Sequence, residues 1–381
     1  MNDSLIAWRC DRPTRFPHRL LACALALACC AGSCLAADPR LDALNRGIVE
    51  LETGGSAGIS IRIAEDLAGL VDDGATRRVL PVVGRTATQN VWDLILLRGI
   101  DMAILQTDVL DSVRQQRSMP GVEGRFTYIA KLYNEEFHLL AGPGVKTIAD
   151  LARQRVNVGL RDSGTDVTAE RLFALLKIPV EPVYDRPEVA LEKLRSGDIV
   201  AMALVAGKPA TLFQGVHQDE RLHFVAIPLG ETVINAYVPT ALGVEDYPGL
   251  IPTDQPVDTV AVGSLLAVAG LQPGTERYKN VSTFVDVFFT QFRTLLEPGH
   301  HPKWKETNLA AALPGWTRFP PAQQWLDRNA TVANQNPQDV KTLFSRFLDT
   351  RQQVLGGPAI TDQQRQELFN QFQRWQAEQG H

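Results

Sequence analysis

The chain has 381 residues, 45% of them hydrophobic and 21% charged, with a formal net charge of −5. This is globular composition with length enough for two domains, and it excludes a disordered or fibrous chain. A mildly acidic balance also argues against a nucleic-acid partner, which calls for a basic face.

At the N-terminus, Arg9, Arg12, Arg15 and Arg19 precede the apolar, small-residue run "LLACALALACCAGSCLA". That layout predicts a secretory signal peptide over residues 1–37, cleaved after Ala36 or Ala37 and delivering the product to the periplasm. A retained anchor is the competing reading, but the run is short for a span of about 20 residues. A lipoprotein site at Cys34 is disfavoured because "AGSC" lacks a large aliphatic residue three positions earlier. All five cysteines (Cys10, Cys23, Cys29, Cys30 and Cys34) lie in this leader. The exported chain then has no disulfide, thiolate metal site or cysteine nucleophile, and must rely on its core. The leader carries four Arg and two Asp, so its removal takes the net charge to −5 − 2 = −7.

Beyond the leader, strand-like and helix-like segments alternate. "RRVLPVVG" (77–84) and "DMAILQTD" (101–108) read as strands around a helix in "TQNVWDLILLRG" (88–99). "TIADLARQ" is a short helix, "RVNVGL" (155–160) a strand and "DVTAERLFALLK" (166–177) a helix. "VALEKLRSGD" and "IVAMALVAG" supply another helix and strand. This alternation predicts parallel α/β sheets, whose ligands bind in loops at the carboxyl ends of the strands. Three loops hold that position: "TGGSAG" (53–58), "GRTATQ" (84–89) and "RDSGT" (161–165). Free N–H groups and the helix dipole make each a candidate anion site. Equally, the Gly and Ser residues can simply make turns and cap helices. Arg85 and Arg161 are either two-pronged carboxylate partners or solvated surface charges.

Past residue 300 the chain becomes rich in Pro and Trp, and two amphipathic segments follow. Val340, Leu343, Phe344, Phe347 and Leu348 share one helical face, and Leu368, Phe372 and Trp375 another. Both stripes are expected to pack on the main body. His300 and His301 sit in a Gly/Pro-rich turn and are expected to be a solvated loop rather than a metal site.

Catalytic signatures are missing. There is no GxxxxGK[ST] loop, dinucleotide fingerprint, HExxH or GxSxG elbow, so no cofactor or metal is implied. "NEEFH" (134–138) is the one cluster with acid–base chemistry. On a strand, Glu136 and His138 would share one face, with Glu135 on the other. With no nucleophile beside them, binding or structure is the favoured reading over an exported enzyme.

The residues also carry a resemblance. In order and spacing, "GGSAGISIRIAEDLAGLVDDG", "RRVLPVVGRTATQNVWDLILLRGIDMAILQTDVL", "YIAKLYNEEFHLLAG", "IADLARQRVNVGLRDSGTDVTAERLF" and "ALEKLRSGDIVAMALVAGKPATLF" resemble one family. It is that of the TAXI-type solute receptors of tripartite ATP-independent periplasmic (TRAP) transporters, over about residues 48–330. The resemblance implies a type II periplasmic-binding-protein fold: two α/β lobes joined by a two-crossing hinge, plus a C-terminal helical extension. Crossings would lie near 128–136 and 224–235. Lobe I would be 38–130 and 235–300, lobe II 131–234, and the extension 301–381. The implied function is capture of a small anionic solute (a carboxylate, amino acid or dicarboxylate) by a monomer, and its delivery to membrane permease subunits. A sensor or adaptor of the same fold is the alternative.

By position, Asn90, Glu135, the turn Ser163-Gly164-Thr165, and Gly207 with Pro209 match the family's motifs. Gly55, Gly58, Ser60, Arg85, Thr88 and Arg161 join the expected ligand contacts from the loop reading. Asp108 also matches, as a contact or as a turn cap. Departures fall at Ala87, where relatives often carry Ser, and at Ile59-Ser60, where they often carry Thr-Tyr.

Overall fold

The computed structural model describes residues 46–55, 58–115, 121–217, 221–251 and 255–329. The leader with its cysteines and the two C-terminal amphipathic segments lie outside the described residues.

Three strand–helix pairs come first. Strands β1 (Ile48–Thr53), β2 (Arg78–Val83) and β3 (Met102–Gln106) are followed by helices α1 (Ile59–Val71), α2 (Ala87–Leu96) and α3 (Thr107–Gln115) respectively. The strands pair in parallel in the order β2-β1-β3. Helical spacing explains α1: Ile63, Ala64, Leu67 and Val71 recur on one face, and all are buried.

The long strand β4 (Phe126–Ala141) comes next. After it come β5 (Arg155–Asn157), α4 (Gly164–Leu176), β6 (Glu181–Val183), α5 (Pro187–Ser196) and β7 (Ala201–Ala206). Strands β5, β6 and β7 are again parallel. Then follow α6 (Thr211–Gln214), β8 (His223–Phe224), α7 (Glu231–Ile234), β9 (Val238–Leu242), a second long strand β10 (Val257–Ala269), α8 (Glu276–Thr290) and α9 (Pro320–Arg328).

The two long strands join the parallel groups. The sheet runs β2-β1-β3-β10-β4-β7-β5-β6, with β8 on β4 and β9 on β10. Strand β10 pairs with β9 through Val257–Ala261 and with β3 through Ser264–Val268. Strand β4 pairs with β10 along much of its length and with β7 through Glu136–Ala141. Each long strand therefore starts in one α/β half and ends in the other. This is the two-lobe, two-crossing architecture implied by the resemblance.

Each half has cores on both faces of its sheet, which is why its parallel strands read as continuous apolar runs. In the first half, Leu51, Ile63, Leu67, Phe284, Phe288 and Trp304 fill one face, and Val91, Leu94, Val109, Phe126 and Leu265 the other. In the second half, Phe137, Leu139, Leu172, Val225 and Tyr237 fill one face, and Leu140, Leu191, Met202, Phe213 and Tyr247 the other.

Three sequence expectations change here. Residues 224–235 do not run across the molecule. Val225, Ile227, Leu229 and Val233 pack in the core of the second half, and Leu242, Tyr247, Leu250 and Ile251 do the same. The strand that spans both halves is β10. Secondly, the Pro/Trp-rich section is integral to the first half. Trp304 is fully buried against Phe288 and Phe292, and Arg318 donates to the carbonyls of Ile129, Leu309, Ala310 and Ala311. The histidine pair is half-buried, not a solvated loop: His300 Nδ1 and His301 N both contact the Asp66 carboxylate.

Candidate functional site

The expected site residues lie where the carboxyl ends of the parallel strands of one half face those of the other. The two surfaces meet at named contacts. Thr88 N–H, in α2's first turn, donates to Asp162 O in the loop before α4 (3.3 Å). Gly164 opens α4 against the Gln106 side chain at the end of β3, where a Cβ would overlap the Gln106 amide. Gly207, just past β7, faces Ile59, and a Cβ there would overlap Ile59 Cδ1. These glycines are required by close approach between the halves, not by turn geometry.

The three loops differ in how much of their hydrogen bonding is already used. In α1, Gly58 is the N-cap and, as a glycine, supplies no side-chain cap. Ser60 Oγ instead accepts from Gly54 N–H (3.0 Å), and Gly58 N–H donates to Gly55 O (3.0 Å), so the loop folds back on itself. Among the described residues, the first N–H groups of α1 have no side-chain partner. By contrast, Thr86 Oγ1 caps α2 by accepting from Gln89 N–H (3.2 Å). Ser163 Oγ caps α4 by accepting from Asp166 N–H (3.2 Å), and the Asp166 carboxylate accepts from Asp162 N–H (2.8 Å). That carboxylate already sits in the first turn of α4, where an anionic ligand would gain from the dipole. Burial pushes the Asp166 carboxyl above its ordinary value, partly offset by the Asp162 amide. Thr165 Oγ1 accepts from Val205 N–H (3.0 Å). The hydroxyl oxygens of Ser60, Ser163 and Thr165 thus hold the loops by accepting from backbone N–H groups.

Asn90 is 1% exposed and pins two loops together: its Nδ2 donates to Thr53 O (2.8 Å), and it fills the space beside Gly84. Its Oδ1 has no partner among the described residues. Glu135, on β4, accepts from Gln106 Nε2 (2.8 Å) and Ser264 Oγ (3.3 Å). Burial raises its pKa to about 7, partly opposed by those two hydrogen bonds. The Gln106 Oε1 facing Gly164 is also unpartnered. Arg85 and Arg161 are exposed, and Arg161 stacks its guanidinium over the Tyr184 ring at 4.0 Å.

Sequence reading missed a buried ion cluster beside this junction. Lys303 Nζ contacts Glu136 Oε1 (2.8 Å) and Oε2 (3.1 Å) and Glu306 Oε1 (2.7 Å). Glu136 also accepts from Lys208 N–H (2.8 Å), next to Gly207. Burial opposes the charge on Lys303, but Glu136 and Glu306 outweigh it and hold its pKa above the ordinary lysine value. The only sequence signal was a lysine between Pro302 and Trp304, which could as well have been a surface charge.

Strand alternation holds for "NEEFH": Glu135 faces Gln106 and Ser264, and Glu136 faces Lys303. His138, however, is sealed in the second half among Phe213, Phe224 and Tyr247. Its Nε2 pairs with the Tyr247 hydroxyl (2.6 Å) and its Nδ1 with Glu136 O (2.9 Å). Burial lowers its pKa to about 4. A fully buried, neutral, hydrogen-bonded histidine has no route to a solute. Among the described residues no set of His, Cys, Asp or Glu is arranged to hold a metal, and no helix is long and apolar enough to cross a membrane.

A family model for the NMT1-like family matches residues 52–313. The chain belongs to the NMT1-like family. The matched region begins at Glu52, near the end of β1, and ends beyond Lys303, so every candidate contact above lies within this NMT1-like segment. No curated protein matches the chain. Among solved structures, the alkanesulfonate-binding protein SsuA from Xanthomonas axonopodis pv. citri bound to MOPS is 15% identical, covering 79% of this chain and 93% of its own at a TM-score of 0.41. A TctC solute binding protein from Polaromonas is 14% identical, covering 74% of this chain and 88% of its own at a TM-score of 0.40.

Proposed function

We propose that this NMT1-like protein is an extracytoplasmic solute receptor of the TAXI type, without catalytic activity. It captures a small carboxylate-bearing solute between its halves and delivers it to a TRAP-type permease. One observation carries the reading. Glycine-rich loops at the strand ends of both halves meet at Thr88–Asp162, Gln106–Gly164 and Ile59–Gly207, while among the described strands β4 and β10 are the two that cross between the halves. Two crossing strands form a hinge, and a solute touching both surfaces favours the closed form through contacts that an open form lacks.

In this reading lobe II extends to about residue 262, and the second crossing lies within β10. The N-terminus of α1, uncapped by any described side chain, is the anion-binding end, lined by Gly55, Gly58 and Ser60. Thr88, Asn90, Gly164, Thr165 and Gly207 shape the walls, and Glu135 receives a donor group of the solute through the Gln106–Ser264 set. Arg85 and Arg161 act at the rim. The N-terminal leader directs the chain to the periplasm, where it works as a monomer.

Thermal-shift measurement against a panel of carboxylates and amino acids tests the proposal. Binding to the folded state raises the melting temperature by mass action. A panel-wide absence of stabilisation would count against it.

A further inference from the structure

We infer that helices α3 and α4 form a latch between the two halves that acid strengthens, with Asp108 as its proton-binding group. This rests on the hinged closure read above and not on the identity of the solute. Asp108 lies in the first turn of α3, in the first half, and is 3% exposed. Its side-chain partners come from the second half. Oδ2 accepts from Thr168 Oγ1 on α4 (2.6 Å) and from the Tyr237 hydroxyl (3.3 Å). Val167, next to Thr168, packs against a core of the first half. On the same face, Arg171 Nη1 meets Asp111 Oδ2 (3.4 Å), and the Arg171 guanidinium lies over the Tyr237 ring (5.5 Å). The two halves therefore grip one another through α3 and α4, one turn beyond the glycine-rich loop that opens α4.

Asp108 Oδ1 is buried with no hydrogen-bond partner among the described residues. A charge held there is costly, and a neutral carboxyl costs far less. The neighbouring charges leave most of that cost in place. Arg171 reaches over from α4 but is paired with Asp111, which Arg114 also contacts (2.9 Å). Strand β3 carries no charge, α2 carries only Asp93, which lies beside Glu52, and β10 only Asp258, at its β9-paired end. From β4, Lys131 approaches Gly263 beside Thr107, and its charge faces Glu306. Burial accordingly raises the Asp108 pKa, opposed by Thr168, Tyr237 and Arg171. Burial also raises the Tyr237 pKa, so its hydroxyl stays a donor. Parting the halves removes both hydroxyls and opens the carboxyl to water, which returns it toward the ordinary value of 3.8. The closed form thus holds a proton that the open form releases. Closure is favoured most in acid, and that advantage is lost as pH rises through the closed-form value. Each pH unit between the two values changes the closed-to-open ratio by about tenfold.

Small-angle scattering of the dialysed protein from about pH 4.5 to about pH 8 tests the latch, in wild type, Asp108→Asn and Thr168→Val. Circular dichroism at each pH confirms that the chains are folded. Wild type should be compact in acid and gain radius of gyration toward pH 8. Asp108→Asn still accepts from both hydroxyls but has no charge to bury, so its radius should change less with pH. Thr168→Val keeps the titrating carboxyl and loses one contact, so it should be larger than wild type at the acid end. Glu135, also raised by burial, is unchanged in all three proteins and cancels in the comparison. A wild-type radius that does not vary with pH overturns the inference. So does an Asp108→Asn profile that matches wild type, or a Thr168→Val protein as compact as wild type throughout. The solute reading fails separately, through a thermal-shift panel without stabilisation, which leaves these profiles as they are.

Discussion

Glu52 offers a quantitative test of the buried electrostatics. It lies on β1, is 2% exposed, and its Oε2 has no partner among the described residues. Burial, reinforced by the charge of Asp93 and a hydrogen bond to it, raises its pKa to about 8. The folded protein therefore holds this proton through a pH range in which the unfolded chain has lost it. Stability from this group is fully present below about pH 4.5 and declines as pH rises through the folded value near 8. At about 1.4 kcal/mol per pH unit the full loss approaches 5 kcal/mol. Relaxation and water entry on ionisation lower the measured figure to about 2–4 kcal/mol. In Glu52→Gln the group is neutral at every pH, so that loss disappears. Urea denaturation of both proteins at each pH from 5 to 9 provides the assay. Wild type should lose stability toward alkaline pH more steeply than the variant, and the variant should be the more stable above pH 8. Parallel curves would refute the assignment. Glu50 and Glu135, each raised to about 7 chiefly by burial, slope the same way in both proteins and cancel in the difference.

Other substitutions probe the junction and the cores. Lys303→Met strands Glu136 without its cation and should cost about 3–5 kcal/mol by urea denaturation; adding Glu136→Gln should recover part of that. Tyr247→Phe removes the hydroxyl that contacts His138 Nε2 and accepts from Ala210 N–H. It should lower stability by about 1–3 kcal/mol without altering solute affinity. Asp108, on α3, accepts from Thr168 Oγ1 (2.6 Å) and the Tyr237 hydroxyl (3.3 Å), both on the second half. Asp108→Ala should loosen the closed form, read as a larger radius of gyration by small-angle scattering.

The parallel strands and their helices were legible because each obeys a local rule: short apolar runs ending in glycine, then a helical stripe. β2, β3, α2 and α4 fall within a few residues of their expected bounds. The crossing strand β10 was not legible. Its sequence "VDTVAVGSLLAVA" is a continuous apolar run, and nothing local says that its ends pair with β9 in one half and β3 in the other. Without that pairing, nothing local in the sequence places residues 235–251 with the second half, in whose core Leu242, Tyr247, Leu250 and Ile251 pack. In the site, glycines and hydroxyls could be named from their loops, but their present partners could not. Ser60, Ser163 and Thr165 hold backbone amides, and Asn90 bridges two loops. Gln106, Ser264 and Lys303 gained their places through contacts 29, 129 and 167 residues away in sequence, which periodicity does not encode.

The central claim is that one small solute bridges the two halves. A crystal structure of the protein with the panel carboxylate that most raises its melting temperature tests this most directly. The account predicts the carboxylate at the α1 N-terminus, with the rest of the solute beside Ile59 and touching the Gly164 or Gly207 backbone of the second half. A solute held by one half alone, or bound away from these loops, would contradict it.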